Sequence, residues 1–383
     1  MGSVQSSIAA SVSLSCVYFI YVQIYCSHKL LRSNVLNESL PSFVYLYIKY
    51  ATKAVTRTTG RLHPATAGER DVAYTVLDCR LETPLLRRFC GAAGYGWDYP
   101  DTEYRDVPVC FPEILFRRLL LMVLTDEHFR LSPAGLSRVR QSLKTLQPVD
   151  ELKKGPFVLQ VRVQEYRQVD AGVEVDVGLS ATSRTGCPVW ESVLTLLSKK
   201  GPHKPFRSAP KNSHERRPDD PAPENVKEIE VRVPRATGLQ RVWFFCDYSP
   251  HRLLSLPARL FGSRTQTAPA LWMLSVCLAE IEKHKGVRVI TAPVNITAEF
   301  KEPLFVPSRV KIKFWERNRH QSSAQELVFY MQQHGSNTFH LMGLISRCKR
   351  VQLWSSLNLG GGEERNMRRA SRHFPPCTRW EQV

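Results

Sequence analysis

The chain has 383 residues, of which 43% are hydrophobic, so it is longer than one typical domain and can form a substantial core. Its formal net charge of +18 would suit a nucleic-acid-binding protein, but the basic residues follow no nucleic-acid-binding motif. Basic linkers and a basic tail explain the charge better, and no specific nucleic-acid partner is predicted. The ten cysteines include no Cys-x-x-Cys pair and no histidines at zinc-ligand spacing, which indicates reduced thiols, a cytosol-facing chain and no metal site.

Residues 1–60 are predicted to be a membrane anchor and juxtamembrane segment. The chain begins Met-Gly-x-x-x-Ser, the pattern for myristoylation at Gly2. Residues 8–26 carry no charge and are long enough, at about 1.5 Å per residue, to cross a bilayer as a helix. The basic residues that follow predict a single-pass anchor with the bulk of the chain on the cytosolic side of a membrane. The alternative is that 8–26 and the apolar segment 43–55 are core or interfacial helices.

A first folded unit is predicted over residues 61–198. Residues 107–124 have Pro112 near the first helical position and continue as a strongly apolar helix. The glycine-rich segment 91–97 lacks the Lys-Ser/Thr pair of a phosphate-binding loop, so it is interpreted as a flexible connection. Later in the unit, apolar and polar residues alternate with a period of two, which predicts an antiparallel sheet with one face covered. Its strands are predicted over 157–166, 173–179 and 189–197.

A second folded unit is predicted over residues 228–347. It is preceded by residues 199–227, where many Lys, Arg, Pro and Asp and few apolar residues predict a disordered basic linker. Residues 267–283 should form a buried helix, because they have little polar surface. Residues 348–383, with three consecutive glycines and many arginines, are predicted to be a basic, disordered tail. The strands of the second unit are predicted over 229–233, 287–290, 294–300, 310–315, 327–330 and 339–345.

The stretch 242–285 carries a specific motif. It reads Cys-Asp-Tyr-Ser-Pro-His-Arg at 246–252, Ala-Arg-Leu-Phe-Gly at 258–262 and Ala-Pro-Ala-Leu-Trp at 268–272. This pattern resembles the MaoC-like dehydratases, also called type 2 enoyl-CoA hydratases. In that family Gly-Asp-x-Asn-Pro-(Ile/Leu)-His precedes Arg-Leu-Phe-Gly and a helix that starts Ala-His-Gly-Met-Trp. A weaker likeness at 135–143 and 301–307 extends the resemblance to about 107–347. The resemblance implies an α+β double hot-dog fold, two antiparallel sheets each wrapped around a central helix, in addition to the N-terminal anchor helix. The residues that match the motif are Asp247, Tyr248, Pro250, Ala258, Arg259, Leu260, Phe261, Gly262, Ala268 and Trp272.

The resemblance also implies a site for acyl thioesters of CoA or of acyl carrier protein, with no other cofactor. In the family, the motif Asp and His move a proton and a water at the second and third carbons of the acyl group. Backbone N–H groups at the start of the buried helix polarise the thioester carbonyl. A homodimer is compatible with this resemblance. The residues that correspond to substrate-binding positions are Ser249, Arg252, Ala268, Ala270 and Trp272.

This sequence departs from the family where the chemistry takes place. Arg252 replaces the histidine, and a guanidinium is not deprotonated at working pH, so it cannot accept a proton. Asp247 keeps the carboxylate, and His251 could substitute for the missing base only if the turn were rotated, which makes these two the candidate catalytic residues. The other departures are Cys246 for glycine, Ser249 for asparagine and Pro269-Ala270 for His-Gly.

Three functional classes follow from these observations. The first is an active hydro-lyase on a 3-hydroxyacyl or enoyl thioester. The second is a non-catalytic descendant that binds acyl-CoA or a protein partner, and the third is a membrane-tethered interaction protein without a thioester ligand. The sequence favours a membrane-anchored MaoC-like protein whose hydro-lyase activity is reduced or lost.

Overall fold

A computed structural model describes residues 11, 13–37, 40–64, 71–96, 99–101, 106–200, 225–233, 266–317 and 325–347. Several predicted features lie outside these ranges. They are most of the predicted linker, the predicted tail, Gly2, and four site residues of the motif: Asp247, Ser249, His251 and Arg252.

The described helices comprise an N-terminal helix and five α-helices that follow it. The N-terminal helix occupies 13–20, continues through a π-helical turn at Tyr21–Cys26 and ends with Ser27–Leu31. Short 3₁₀ turns occur at Tyr99–Asp101, Val149–Lys153 and Val287–Val289. The later α-helices are α1 (Phe43–Thr56), α2 (Thr83–Ala93), α3 (Phe111–Leu115), α4 (Arg117–Thr125) and α5 (Ala270–Lys285).

None of the helices in the described ranges is both long enough and apolar enough to cross a membrane. The single-pass anchor that the sequence predicts over 8–26 is therefore not supported by the structure.

Thirteen strands are described, and eleven of them form one sheet in the order β1-β2-β4-β5-β6-β3-β9-β13-β12-β11-β7. Strands β1 and β2 run parallel, and the other neighbours in this sheet run antiparallel. Strands β8 and β10 form a separate antiparallel pair. The strands are β1 (Val35–Asn37), β2 (Ala73–Cys79), β3 (Leu136–Thr145), β4 (Phe157–Val169), β5 (Gly172–Thr182), β6 (Pro188–Lys199), β7 (Lys227–Val233), β8 (Gln266–Thr267), β9 (Val294–Phe300), β10 (Phe305–Val306), β11 (Ser308–Arg317), β12 (Gln325–Gln333) and β13 (Phe339–Arg347).

The two predicted units share this sheet. Strand β3 of the first unit pairs with β9 of the second, from Arg140 opposite Glu299 to Thr145 opposite Val294. The prediction of two separate sheets is corrected here. A period of two identifies strands and their buried faces, but it does not identify the partner of an outermost strand.

Each unit has a buried central helix, as the sequence predicts. In α5, twelve of the sixteen residues are buried, because apolar side chains surround the helix instead of forming one stripe. In the first unit, Pro112 lies in the first turn of α3, and every residue of α4 from Leu119 to Thr125 is buried. Helices α3 and α4 are separated at Phe116, whose ring stacks on Trp190 at 5.7 Å between centroids.

Helix α2 is absent from the prediction. It extends to Ala93 and ends at Gly94, whose φ of 88° is left-handed, so the interpretation of 91–97 as a flexible connection is wrong at its start. The prediction of a strand over 287–290 is also wrong, because a 3₁₀ turn is found there. A helical pattern was present in α2, since its buried residues are spaced three, four and seven apart. These residues are Leu86, Phe89, Cys90 and Ala93.

Gly60 lies where the segment after α1 touches the end of β6. Its N–H donates to Ser198 Oγ at 2.9 Å, its φ is +73°, and a Cβ there would lie 2.5 Å from the Lys199 carbonyl oxygen. We expect Gly60→Ala to lower the free energy of unfolding by about 2–4 kcal/mol, as the sum of left-handed strain and backbone overlap. Denaturant unfolding would measure the loss.

Gly186 provides a matched control. Its φ is +79°, but no atom lies within 4 Å of a Cβ placed there. Gly186→Ala should therefore cost only the conformational strain, about 1–2 kcal/mol. Equal losses in the two variants would show that the contact with β6 is not tight.

Candidate functional site at the junction of the two units

The start of α5 is the described part of the predicted thioester site. Ala268, Pro269 and Ala270 are all buried. The Ala268 N–H donates to the Leu304 carbonyl at 2.7 Å, so this donor is used within the protein. Pro269 caps the helix and has no N–H. Of the two residues that replace the His-Gly pair of the family, only Ala270 has an N–H that is chemically able to polarise a thioester carbonyl.

Trp272 lies in the first turn of α5 and contacts α2. It is 3% exposed, and its Nε1–H donates to the Ala92 carbonyl at 3.0 Å. Further along α5, the Tyr99 hydroxyl donates to Glu282 Oε1 at 2.8 Å. Helix α2 is thus attached to the start of α5, and Tyr99 is attached to its last part.

A buried network of polar side chains lies close by. Arg138 Nη2 and Glu113 Oε1 are 2.6 Å apart, with both side chains almost completely removed from water. Gln141 joins the pair: its Oε1 accepts from Arg138 Nη1 at 2.9 Å, and its Nε2 donates to Glu113 Oε2 at 2.7 Å. Gln141 Nε2 also lies 3.1 Å from Ser192 Oγ. A fully desolvated ion pair needs such additional hydrogen bonds, because attraction alone does not offset the loss of hydration.

The elements that hold this network belong to the first unit and lie at its junction with the second. Glu113 lies in the first turn of α3, and Arg138 and Gln141 lie on β3, the strand that pairs with the second unit. Cys110, just before α3, lies near Ser275 of α5. Burial, together with the nearby Glu113 carboxylate, raises the pKa of the Cys110 thiol to about 12, so this thiol stays protonated at neutral pH. The network therefore lies beside the first half of α5.

The sequence identified only part of this arrangement. The structure places three of the predicted residues together at the start of α5: Ala268, Ala270 and Trp272. The sequence did not reveal the buried polar network, which includes Glu113, Gln141 and Ser192. A usable signal was the single carboxylate, Glu113, within the apolar segment 107–124, because carboxylates are rarely buried without a partner. In the described ranges, no three His, Cys, Asp or Glu side chains are grouped in a way that could hold a metal ion.

Comparisons with known proteins identify the fold. No protein-family model matches the sequence, and no curated protein matches it significantly. Among solved structures, HtdX of Mycobacterium tuberculosis is 17% identical over 71% of this chain and 98% of its own, with a TM-score of 0.51. A MaoC-like dehydratase from Phytophthora capsici is 15% identical over 72% of this chain and 94% of its own, with a TM-score of 0.52.

A third similar structure is the full-length peroxisomal multifunctional enzyme type 2 from Drosophila melanogaster. It is 11% identical, with a TM-score of 0.51, and the match covers 82% of this chain and 57% of the enzyme. At sequence identities this low, the similarity is evidence for the fold alone. The resemblance found in the motif is confirmed at that level: the chain has the hot-dog fold of the MaoC-like dehydratases.

Proposed function

We propose that this protein binds acyl thioesters of CoA or acyl carrier protein at the start of α5, and that its hydro-lyase activity is reduced or lost. The observation that supports the loss of activity is the shortage of N–H donors at the start of α5. Pro269 has no N–H, and the Ala268 N–H already donates to Leu304. An oxyanion site loses about 100-fold or more in rate when one donor is removed.

The residues that would move the proton support the same proposal. Asp247 keeps the carboxylate of the motif, but Arg252 stands where the family has histidine. General acid–base catalysis needs a group that both accepts and releases a proton near the working pH. A guanidinium does not do this, because it stays charged. Its fixed positive charge suits an anionic ligand instead.

The binding part of the proposal is supported by burial and by charge. Helix α5 is apolar along most of its length, so its surroundings suit the hydrocarbon part of an acyl thioester. The formal net charge of +18 would attract the phosphates of CoA over long distances.

Two measurements on the full chain test the proposal. Titration calorimetry should show that hexanoyl-CoA binds at least about tenfold more tightly than free CoA, because burying six carbons adds more than the ~1.4 kcal/mol required. Crotonyl-CoA and longer enoyl-CoAs should be hydrated slowly or not at all.

The possible results separate the three functional classes. Rapid hydration that Asp247→Ala abolishes would contradict the loss of activity and identify an active hydro-lyase. Hydration that Asp247→Ala leaves unchanged would show that the activity does not use this site. Equal affinity for hexanoyl-CoA and CoA, or no binding of either, would overturn the thioester proposal and favour a protein-interaction module.

A further inference from the structure

The exposed large apolar side chains are concentrated near the N-terminus. Among the described residues sixteen such side chains are exposed, and twelve of them lie between Leu14 and Val55. Single exposed apolar residues are normal on protein surfaces, but a contiguous group marks a surface that contacts a membrane or another protein. This region therefore needs a covering partner.

One side of α1 is fixed to the rest of the protein. Leu46 and Tyr50 are fully buried, and the Tyr50 hydroxyl donates to the Pro133 carbonyl at 2.7 Å. Lys53 of α1 and Arg57, just after it, point the same way, since Lys53 donates to the Asp126 carbonyl and Arg57 donates to the Glu127 and Phe129 carbonyls. Helix α1 is thus held lengthwise against the protein.

The opposite side of α1 is an apolar stripe that faces outward. Val44, Ile48 and Val55 are 49%, 51% and 86% exposed. Residues four and eleven positions apart project from the same side of an α-helix, so these three side chains form one line. The stripe carries no charge, because Lys53 and Arg57 point to the other side of the helix.

The N-terminal helix extends this apolar surface. Its exposed side chains include Leu14 and Tyr18, and the rings of Tyr21 and Tyr25 stack at 5.1 Å between centroids. Its last turn is held at the start of α1, because the Ser42 N–H donates to Ser27 Oγ at 2.9 Å. The end of the N-terminal helix and the start of α1 are therefore adjacent.

The charge of this region identifies the partner. Residues 1–64 contain six Lys or Arg and a single acidic residue, Glu38. Lys29 and Arg32, at the end of the N-terminal helix, are exposed. Apolar side chains, tyrosines and flanking basic residues together are typical of surfaces that bind anionic phospholipid. We propose that the α1 stripe and the N-terminal helix form a membrane-contact face that binds the surface of anionic bilayers.

This proposal differs from the predicted anchor and is independent of the thioester function. The stripe lies parallel to the bilayer surface, because the other side of α1 is packed on the protein. A partner with an apolar, negatively charged surface is required, and an anionic membrane provides both properties. A second copy of this basic chain would place like charges opposite each other.

Vesicle flotation with the full chain tests the proposal. The wild type should float with vesicles of phosphatidylcholine and phosphatidylserine and bind much less to phosphatidylcholine alone, with binding weakened by salt. The double variant Ile48→Asp, Val55→Asp should bind at least about tenfold less, because it places two charges in the stripe. Phe305→Asp is the matched control, since Phe305 is 52% exposed in the second unit, and it should bind like the wild type.

Three results would overturn the proposal. They are equal flotation of the double variant and the wild type, no flotation of the wild type with anionic vesicles, and a wild-type dimer that the double variant converts to monomers without any vesicle binding. The last result would show that a second copy covers the face. Hexanoyl-CoA binding by the double variant should equal that of the wild type, so failure of this proposal and failure of the thioester proposal are distinguishable.

Discussion

Glu113→Gln is expected to lower the free energy of unfolding by about 3–5 kcal/mol. The substitution keeps the size of the side chain and one of its two acceptor oxygens. It leaves Arg138 as a buried positive charge without a counter-charge, since the 2.6 Å ion pair with Glu113 is lost. Urea unfolding, followed by circular dichroism, would measure the change.

Two control variants isolate the cause of this loss. Glu165→Gln makes the same chemical change in an exposed ion pair with Arg167, where we expect a loss below about 1 kcal/mol. Glu113→Leu combined with Arg138→Met removes both charges and should cost less than Glu113→Gln alone, because no charge remains unpaired. If all three variants had similar stability, the buried pair would not be important for folding.

Arg252→His is expected to increase the rate of crotonyl-CoA hydration by about 100-fold or more. The substitution restores a group that accepts a proton near neutral pH, at the motif position where the sequence has a permanently charged side chain. The loss of the enoyl absorbance would report the rate. Adding Pro269→Gly should increase the rate further, because it supplies a backbone N–H at the start of α5.

Arg252→Lys serves as the control for this gain. A lysine removes the guanidinium but stays protonated at neutral pH, so the hydration rate should remain at the wild-type level. Asp247→Ala in the Arg252→His background should abolish the gain, because the carboxylate is the remaining half of the motif. A gain that survives Asp247→Ala would assign the activity to another part of the molecule.

The two central helices and most strands of the sheet could be predicted from the sequence because their signals are local. The buried helix α5 is apolar on all sides, and Pro112 marks the start of α3 within a few residues. The pairing of β3 with β9 could not be predicted, since the paired residues are about 150 positions apart in the chain. Helix α2 was not predicted, because Gly91 in its last turn and Gly94 after it favour a connection over a helix.

The candidate site was predictable only where a contiguous motif exists. Ala268 and Trp272 match the motif, Ala270 occupies one of its positions, and all three are found together at the start of α5. The network of Glu113, Gln141 and Ser192 is assembled from α3, β3 and β6. No spacing rule connects three residues on different elements, so their proximity appears only when the chain is folded.

The shared sheet has a mechanical consequence. Six consecutive residue pairs join β3 to β9. The two halves of the molecule are therefore connected by the hydrogen bonds of a continuous sheet, not by a flexible hinge. A hinged opening of the two halves would have to break the hydrogen bonds between β3 and β9. Exchange of the proposed ligand beside α5 would instead depend on displacement of α2 and of the Tyr99–Asp101 turn, each joined to that helix by a hydrogen bond.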